Sequence, residues 1–114
     1  MADQIPIISK KNELAVWKKI KEYCEDGLAQ YPTTIEEDLE ILKREDLTFN
    51  QRNCVLFRHG EKEILAFLIE LGDIVFKVLG EKFKDAKKIV TGLPDRFNES
   101  KDYLNELLKL VTSD

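Results

Sequence analysis

The side chains that most often carry out catalysis are scarce in this sequence of 114 residues. His59 is its only histidine, so a Ser-His-Asp triad and a multi-histidine metal centre both lack necessary groups. His59 could act as a lone acid or base, but a surface or helix-packing role is favoured. Cys24 and Cys54 match no metal-binding or redox spacing, and the residues after Gly60 form no phosphate-binding loop. We therefore expect no catalytic, cofactor-binding or metal-binding residues, and no enzyme activity from this chain alone.

Two charged segments are candidates for binding a partner. The first places four acids at the start of a predicted helix: Glu36, Glu37, Asp38 and Glu40. Glu36, Glu37 and Asp38 are consecutive, and consecutive residues on a helix point in different directions, so these three acids do not form a paired catalytic site. Helix capping and a favourable interaction with the helix dipole explain them structurally. The functional alternative is an acidic docking surface for a basic, lysine-bearing peptide.

The second charged segment is Arg58-His59-Gly60-Glu61-Lys62. On a helix, Arg58 and Lys62 lie one turn apart with Glu61 between them, so ion pairs are available, and surface pairs contribute only about 0.2–1 kcal/mol. Gly60 would allow another helix to approach closely. This structural interpretation is favoured over direct ligand contact, but Arg58, Glu61 and Lys62 remain candidate partner-binding residues.

The first half of the chain shows the start and stop signals of helices. Residues 1–11 are predicted to be an extended leading segment, since Pro6 keeps its predecessor out of helical geometry. A helix over about 12–29, capped by Asn12 or Ser9, presents one apolar face made by Leu14, Trp17, Ile20, Cys24 and Leu28. After Tyr31-Pro32, a capping box of Thr33 with Glu36 or Thr34 with Glu37 begins a second helix that ends near residue 44. Its predicted buried stripe is Ile35, Leu39 and Leu42.

A long helix is predicted next. Thr48 and Gln51 have capping-box spacing, and the helical pattern after them reaches Leu79, with Gly60 as a candidate break. Residues 64–79 are the most apolar part of the chain, apart from one narrow polar stripe: Glu63, Glu70, Asp73, Lys77 and Glu81. This pattern predicts a central helix that is buried on most sides or lends a face to a partner.

The remaining residues predict two shorter helices. One covers about 81–90 and ends at the break Thr91-Gly92-Leu93-Pro94. The last, capped by Asn98 or Ser100, buries Leu104, Leu107, Leu108 and Val111. The sequence therefore predicts an all-α domain over residues 12–114, with about five helices in an irregular bundle around one long, mostly apolar central helix.

Charge and composition exclude several partner classes. The net charge is −4, and no stripe of Lys and Arg interleaved with aromatic residues is present, so we expect no nucleic-acid binding. The apolar segment 64–79 is interrupted by Glu70, Asp73 and Lys77, so we expect no membrane span. The two cysteines read as small buried hydrophobes with free thiols, which weakly indicates a reducing intracellular compartment such as cytoplasm, nucleus or plastid.

Two of these motifs together resemble a known family. Thr33-Thr34-Ile35-Glu36-Glu37-Asp38 is followed about twenty residues later by Arg58-x-Gly60-Glu61-Lys62-x-Ile64-Leu65. This pair is similar to the signature of the Rubisco LSMT substrate-binding domain, the helical domain that follows the SET domain in protein-lysine methyltransferases and in the related actin-histidine methyltransferase. The resemblance is good over about residues 5–70 and loose beyond them.

The resemblance implies a helical lobe that holds a protein substrate while a SET domain transfers methyl groups from S-adenosylmethionine. The SET domain's cofactor-binding Asn-His pair has no counterpart in this sequence, so we expect no cofactor and no methylation by this chain alone. The expected partners are a protein substrate or basic peptide segment and a SET-domain chain. The alternative is a structural or scaffold subunit that docks or self-associates, as a homo-oligomer, through the apolar 64–79 helix.

Overall fold

The computed structural model describes residues 9–111, which contain five α-helices, two short 3₁₀ turns and no strand. In chain order, the α-helices are α1 (Lys10–Ala29), α2 (Ile35–Leu42), α3 (Phe49–Gly80), α4 (Phe83–Thr91) and α5 (Lys101–Leu107). The 3₁₀ turns are Asp95–Ser100 and Leu108–Leu110. The predicted all-α class with about five helices and one long helix is confirmed. None of the helices within 9–111 is long and apolar enough to cross a membrane.

Helix beginnings follow the local signals of the sequence. The Ser9 hydroxyl accepts a hydrogen bond from the Asn12 N–H at 3.0 Å, so α1 begins at Lys10, slightly before the predicted start. Most of the predicted extended segment 1–11 lies outside the described residues. At α2, Thr34 and Glu37 form the reciprocal capping box.

Helix α3 is continuous from Phe49 to Gly80. Its capping box joins Thr48 and Gln51, with the Thr48 N–H donating to Oε1 of Gln51 and the Gln51 N–H donating to the Thr48 hydroxyl. Gly60 does not break the helix. A single glycine costs only about 1 kcal/mol of helix propensity, which the surrounding turns of a long helix tolerate.

The start of α5 differs from its predicted capping. Ser100 occupies the N-cap position but makes no side-chain capping hydrogen bond. The reason is that the turn Asp95–Ser100 runs directly into α5, so the backbone of Ser100 is already helical (φ −90°, ψ −9°) and not extended. The predicted break before it is confirmed, with Gly92 closing α4 and Pro94 opening the 3₁₀ turn.

The described residues fall into two compact units, each with its own interior. The terminal unit contains residues 9–20 and 70–111, and the middle unit contains Lys21–Ile69. In the terminal unit, side chains from α3, α4, the first 3₁₀ turn and α5 form an apolar core: Val75, Val78, Leu79, Ala86, Val90, Phe97, Leu104 and Leu107. The burial predicted for the last helix is confirmed, since Leu108 and Val111 are buried as well.

In the terminal unit, Trp17 belongs to a hydrogen-bond network and also lies close to Gly72 of α3. The Trp17 indole N–H donates to the Tyr103 hydroxyl at 2.7 Å, and that hydroxyl donates to the carboxylate of Glu13. Burial, followed by the hydrogen bond to Glu13, raises the pKa of Tyr103 far above its usual range. A Cβ on Gly72 would lie 3.3 Å from the Trp17 ring, so glycine at this position lets α3 approach the indole. Trp17 is therefore fixed by the hydrogen bond from its indole N–H and by the contact of its ring with α3 at Gly72.

Candidate functional site

The centre of the middle unit is a buried lysine with three acceptors. Lys62 lies on α3 and its side chain is only 1% exposed. Its ammonium donates to the Thr33 carbonyl at 2.8 Å, to the Thr33 hydroxyl at 2.7 Å and to Oδ2 of Asp38 at 2.7 Å. The Thr33 hydroxyl in turn donates to Oδ1 of Asp38 at 2.6 Å. An ammonium carries three donors, so every N–H of Lys62 is satisfied.

The electrostatics of this cluster favour the charged carboxylate. Burial alone would raise the pKa of Asp38, but the hydrogen bonds from Lys62 and Thr33 and the positive charge of Lys62 outweigh it. The pKa of Asp38 therefore lies below its usual value. His59 borders the cluster, with Nδ1 3.9 Å from Oδ2 of Asp38 and Nε2 3.2 Å from the carboxylate of Glu63. We call Thr33, Asp38 and Lys62 the polar lock.

The polar lock explains why the two sequence motifs occur together. Thr33 and Asp38 come from the first motif, on either side of the α2 N-terminus, and Lys62 comes from the second, within α3. Removing one partner of a buried ion pair typically costs about 3–5 kcal/mol, because the other charge is left without compensation. The polar lock thus fixes the start of α2 against α3. The role that the structure shows for Thr33, Asp38 and Lys62 is to stabilise the fold.

The predicted partner-binding residues have different surroundings in the structure. Glu36, Glu37 and Glu40 are exposed, whereas Asp38 and Lys62 are buried in the polar lock and present no charge at the surface. Arg58 and Glu61 are half-buried. The partner contact that we predict for these seven residues is not tested by their positions alone, and the exposed acids keep the surface that such contact needs.

Part of the predicted packing of the middle unit is wrong. Leu39, expected in the buried stripe of α2, is 47% exposed, while its neighbour Asp38 is buried. Asp38 is buried because Lys62 and Thr33 form hydrogen bonds with its carboxylate, which makes its burial favourable. Cys24 is buried as expected, but Cys54 is exposed, and both are free thiols.

An open cleft adjoins the polar lock within the middle unit. Its volume is about 660 Å³, and the residues that line it are Tyr23, Asp26, Gly27, Gln30, Tyr31, Glu61 and Leu65. The Tyr31 hydroxyl donates to the carboxylate of Glu61, and the Tyr31 ring centroid lies 5.0 Å from the Lys62 nitrogen. The hydrogen bond to Glu61 and then burial raise the pKa of Tyr31 above its usual value. The wall of the cleft formed by Tyr31 is thus in contact with Lys62 of the polar lock.

Sequence reasoning missed most of this cleft. Tyr23 with Gly27, and Asp26 with Gln30, are each four residues apart near the end of α1, so each pair lies on one helical face. That spacing was available in the sequence. Nothing local indicated, however, that Glu61 and Leu65 of α3 would face these pairs.

The first half of α3 presents an exposed apolar face. Phe49, Leu56, Gly60 and Ile64 are separated by seven, four and four residues and so share one side of the helix, and Phe57 widens it. Phe49 is 80% exposed, Phe57 68% and Ile64 62%. A Cβ on Gly60 would meet nothing within 4 Å. We call Phe49, Leu56, Phe57, Gly60 and Ile64 the apolar stripe.

This stripe differs from the face expected over 64–79. In that segment Leu71, Val75, Val78 and Leu79 are buried in the terminal unit, and Ile64 is the large apolar residue left exposed. The polar stripe is as predicted, since Glu63, Glu70, Asp73 and Lys77 are all exposed. The apolar surface available to a partner therefore lies nearer the start of α3.

Fold and site together define an all-α domain with an open cleft and an exposed apolar helix face. Across residues 9–111, no group of three or more His, Cys, Asp or Glu side chains could hold a metal ion. The sequence profile of the Rubisco LSMT substrate-binding domain matches residues 2–65, more than half of the chain. The chain belongs to this family of protein methyltransferase substrate-binding domains.

Individual relatives match the same half of the chain. The actin-histidine N-methyltransferases of Homo sapiens and Papio anubis are each 40% identical over 58 residues, and that of Xenopus tropicalis is 34% identical over the same length. The matched segment is 51% of this chain but only 10% of each relative, so the chain corresponds to a small part of those proteins. No solved structure matches the chain.

Proposed function

We propose that this chain recognises a protein substrate of a methyltransferase and positions it, while a separate SET domain supplies the catalysis. Family membership supports a role in substrate recognition, and the apolar stripe is the observation that carries the proposal. Holding a substrate in a productive orientation lowers the barrier of a reaction even when the holding domain contributes no reacting group.

The size of the apolar stripe fits protein recognition. A phenylalanine side chain removes on the order of 150–250 Å² from water when it is covered. With Leu56 and Ile64, the stripe therefore offers apolar surface on the order of 500 Å². A standard interface buries about 800 Å² per partner, of which a little over half is apolar. The stripe thus matches the apolar share of one such interface.

A partner protein of mixed character suits the surroundings of the stripe. Phenylalanine is enriched in the cores of interfaces, and polar residues form their rims. Here the exposed carboxylate of Glu63 lies beside Ile64, and the exposed acids Glu36, Glu37 and Glu40 belong to the same unit. A substrate segment that joins apolar residues to basic ones would use both features.

Self-association is the second candidate function. The open space around Gly60 favours it, because a helix without a side chain at the centre of its apolar face allows a second helix to approach closely. In this alternative the stripe is an interface between two copies, and the chain acts as a scaffold. The two candidates compete for the same residues, so one variant tests both.

Capture of partners by the immobilised domain, from a lysate of its source organism, tests the proposal. We expect wild-type protein to retain a protein that carries a methylated lysine or histidine, identified by mass spectrometry, and the Phe57→Asp variant to lose it. Phe83→Asp is the matched control, since Phe83 is an exposed phenylalanine of the terminal unit. Equal capture by wild type and Phe57→Asp, or captured proteins without methylation, would contradict the proposal.

Sedimentation of the same variants tests the scaffold alternative. Self-association through the stripe predicts a wild-type dimer that Phe57→Asp converts to a monomer. A clean wild-type monomer at high concentration eliminates this alternative.

A further inference from the structure

We infer that the cleft of the middle unit binds the cationic side chain of a lysine or arginine presented by a peptide. This inference rests on the proposed function, because it names the kind of residue that a bound protein substrate would insert. It places the contact in a region separate from the four acids at the start of α2.

The floor of the cleft is shaped for an aliphatic chain. A Cβ on Gly27 would lie 3.1 Å from Cδ1 of Leu65, so the absence of a side chain at Gly27 brings α1 and α3 together at this point. Leu65 supplies the apolar contact there. Lysine and arginine carry long aliphatic stems that pack on apolar surface while their charged ends stay near water. The volume of about 660 Å³ is within the range of about 300–1,000 Å³ that is common for ligand sites.

The walls of the cleft carry more negative than positive charge. Asp26 and Glu61 both line it, and within residues 9–111 no lysine or arginine nitrogen forms an ion pair with either carboxylate. One oxygen of Glu61 accepts the Tyr31 hydroxyl, and the other has no hydrogen bond from the described part of the chain. Arg58 is close enough to lower the pKa of Tyr31, but one guanidinium does not balance two carboxylates.

An aromatic ring at the rim adds a third element of cation recognition. Tyr23 lines the cleft, is 76% exposed and has no aromatic or cation–π contact with any residue in 9–111. A cation over such a ring gains about 0.5–1 kcal/mol at an exposed site. The Tyr31 ring already has Lys62 beside it, so Tyr23 is the ring available to an incoming cation.

An organic cation fits this cleft better than a metal ion does. Calcium needs six to eight oxygen ligands and magnesium six in near-octahedral geometry. The cleft supplies two carboxylates together with an apolar floor and an aromatic ring, which match the two ends of a lysine or arginine side chain.

NMR titration of the ¹⁵N-labelled chain with capped tripeptides tests this inference. The probes are acetyl-Ala-Lys-Ala-amide, the arginine equivalent and the norleucine equivalent, which keeps the aliphatic stem and lacks the charge. We expect the lysine and arginine peptides to shift amide signals near residues 23–31 and 61–65, with an affinity that falls as salt is added. We expect the norleucine peptide to cause little change.

Substitutions in the cleft assign the contact. Asp26→Asn and Glu61→Gln should each weaken lysine-peptide binding by up to about five-fold, the upper end of the range for an exposed ion pair. Glu61→Gln keeps an oxygen that can accept the Tyr31 hydroxyl, so the wall should be retained. Arg58→Met should strengthen binding, because it removes the nearby positive charge. Asp85→Asn, at an exposed carboxylate of the terminal unit, is the control and should change nothing.

Equal binding of the norleucine and lysine peptides, signal changes confined to other residues, or no response to any peptide would overturn the inference. These outcomes are distinct from failure of the proposed function. Loss of partner capture on Phe57→Asp would still support protein recognition through the apolar stripe, even if the cleft bound no cation.

Discussion

The two units of this protein are held together in different ways. Among residues 9–111, twelve of the fourteen buried hydrophobic side chains belong to the terminal unit, and only Cys24 and Val55 belong to the middle unit. The middle unit instead buries the Lys62–Asp38 ion pair. Six of the eight large hydrophobic side chains that are exposed also lie in the middle unit, against Val16 and Phe83 in the terminal one.

This difference indicates how a small domain can keep apolar surface free for binding. Apolar burial is non-directional, so a unit that depends on it turns its hydrophobic side chains inward. A unit fixed by directional, charge-assisted hydrogen bonds can leave phenylalanine side chains exposed to solvent. The family profile ends at residue 65, and so covers the polar lock and nearly all of the middle unit. The recognisable signature of the family is thus the part that positions α2, and the surfaces proposed to bind partners lie around it.

The largest expected effect is the loss of the polar lock. Lys62→Met leaves the buried charge of Asp38 without its cation, and we expect the free energy of unfolding to fall by about 3–5 kcal/mol. The matched change in the terminal unit is Leu104→Ala, which removes a fully buried side chain and should cost about 2–5 kcal/mol. Denaturant unfolding followed by circular dichroism measures both.

A double variant sharpens this test. Lys62→Met with Asp38→Leu removes both charges, so its cost should be smaller than that of Lys62→Met alone. Stability of Lys62→Met within 1 kcal/mol of wild type would show that the lock does not hold the middle unit.

The next largest expected effect is a pH dependence of stability that arises in the middle unit and is absent from the terminal unit. Because the pKa of Asp38 is lowered in the folded state, its contribution is fully present above the unfolded-state pKa of about 3.9 and is lost as pH falls through the folded value. The stability difference between wild type and Asp38→Asn should therefore be large at neutral pH and shrink below about pH 4. Denaturant titrations at a series of pH values measure this difference. Leu104→Ala should show a constant difference from wild type over the same range, and a constant Asp38→Asn difference would refute the linkage.

The smallest expected effects concern two glycines of α3. Gly60→Ala meets open space and gains helix propensity, so it should raise stability by up to about 1 kcal/mol. Gly72→Ala gains the same propensity but places a Cβ 3.3 Å from the Trp17 ring, which is held by its hydrogen bond to Tyr103. We expect that crowding to offset the gain, so that Gly72→Ala is the less stable of the two in thermal unfolding. The reverse order would mean that the indole moves easily.

Most predictions from local signals are confirmed, although the predicted cap of α5 does not form and Gly60 does not break α3. The capping boxes of Thr34 with Glu37 and of Thr48 with Gln51 depend on residues three apart, and both are present. The buried face of α5 follows from helical periodicity and is also confirmed. Where a side chain's surroundings came from distant residues, the prediction failed, as for Leu39 and Cys54.

The sequence by itself therefore determined the helices, the capped starts of α2 and α3 and the family, because helical hydrogen bonds and caps join residues at most a few positions apart. The tertiary structure alone decided that Asp38 is buried, that the apolar surface lies at the start of α3, and that Asp26 and Glu61 share a cleft. Each of these depends on which helix faces turn toward each other. Lys62 and Asp38 are 24 residues apart, and no local rule links a lysine on one helix to a carboxylate on another. Only packing brings them within 2.7 Å, and burial then makes their pairing obligatory.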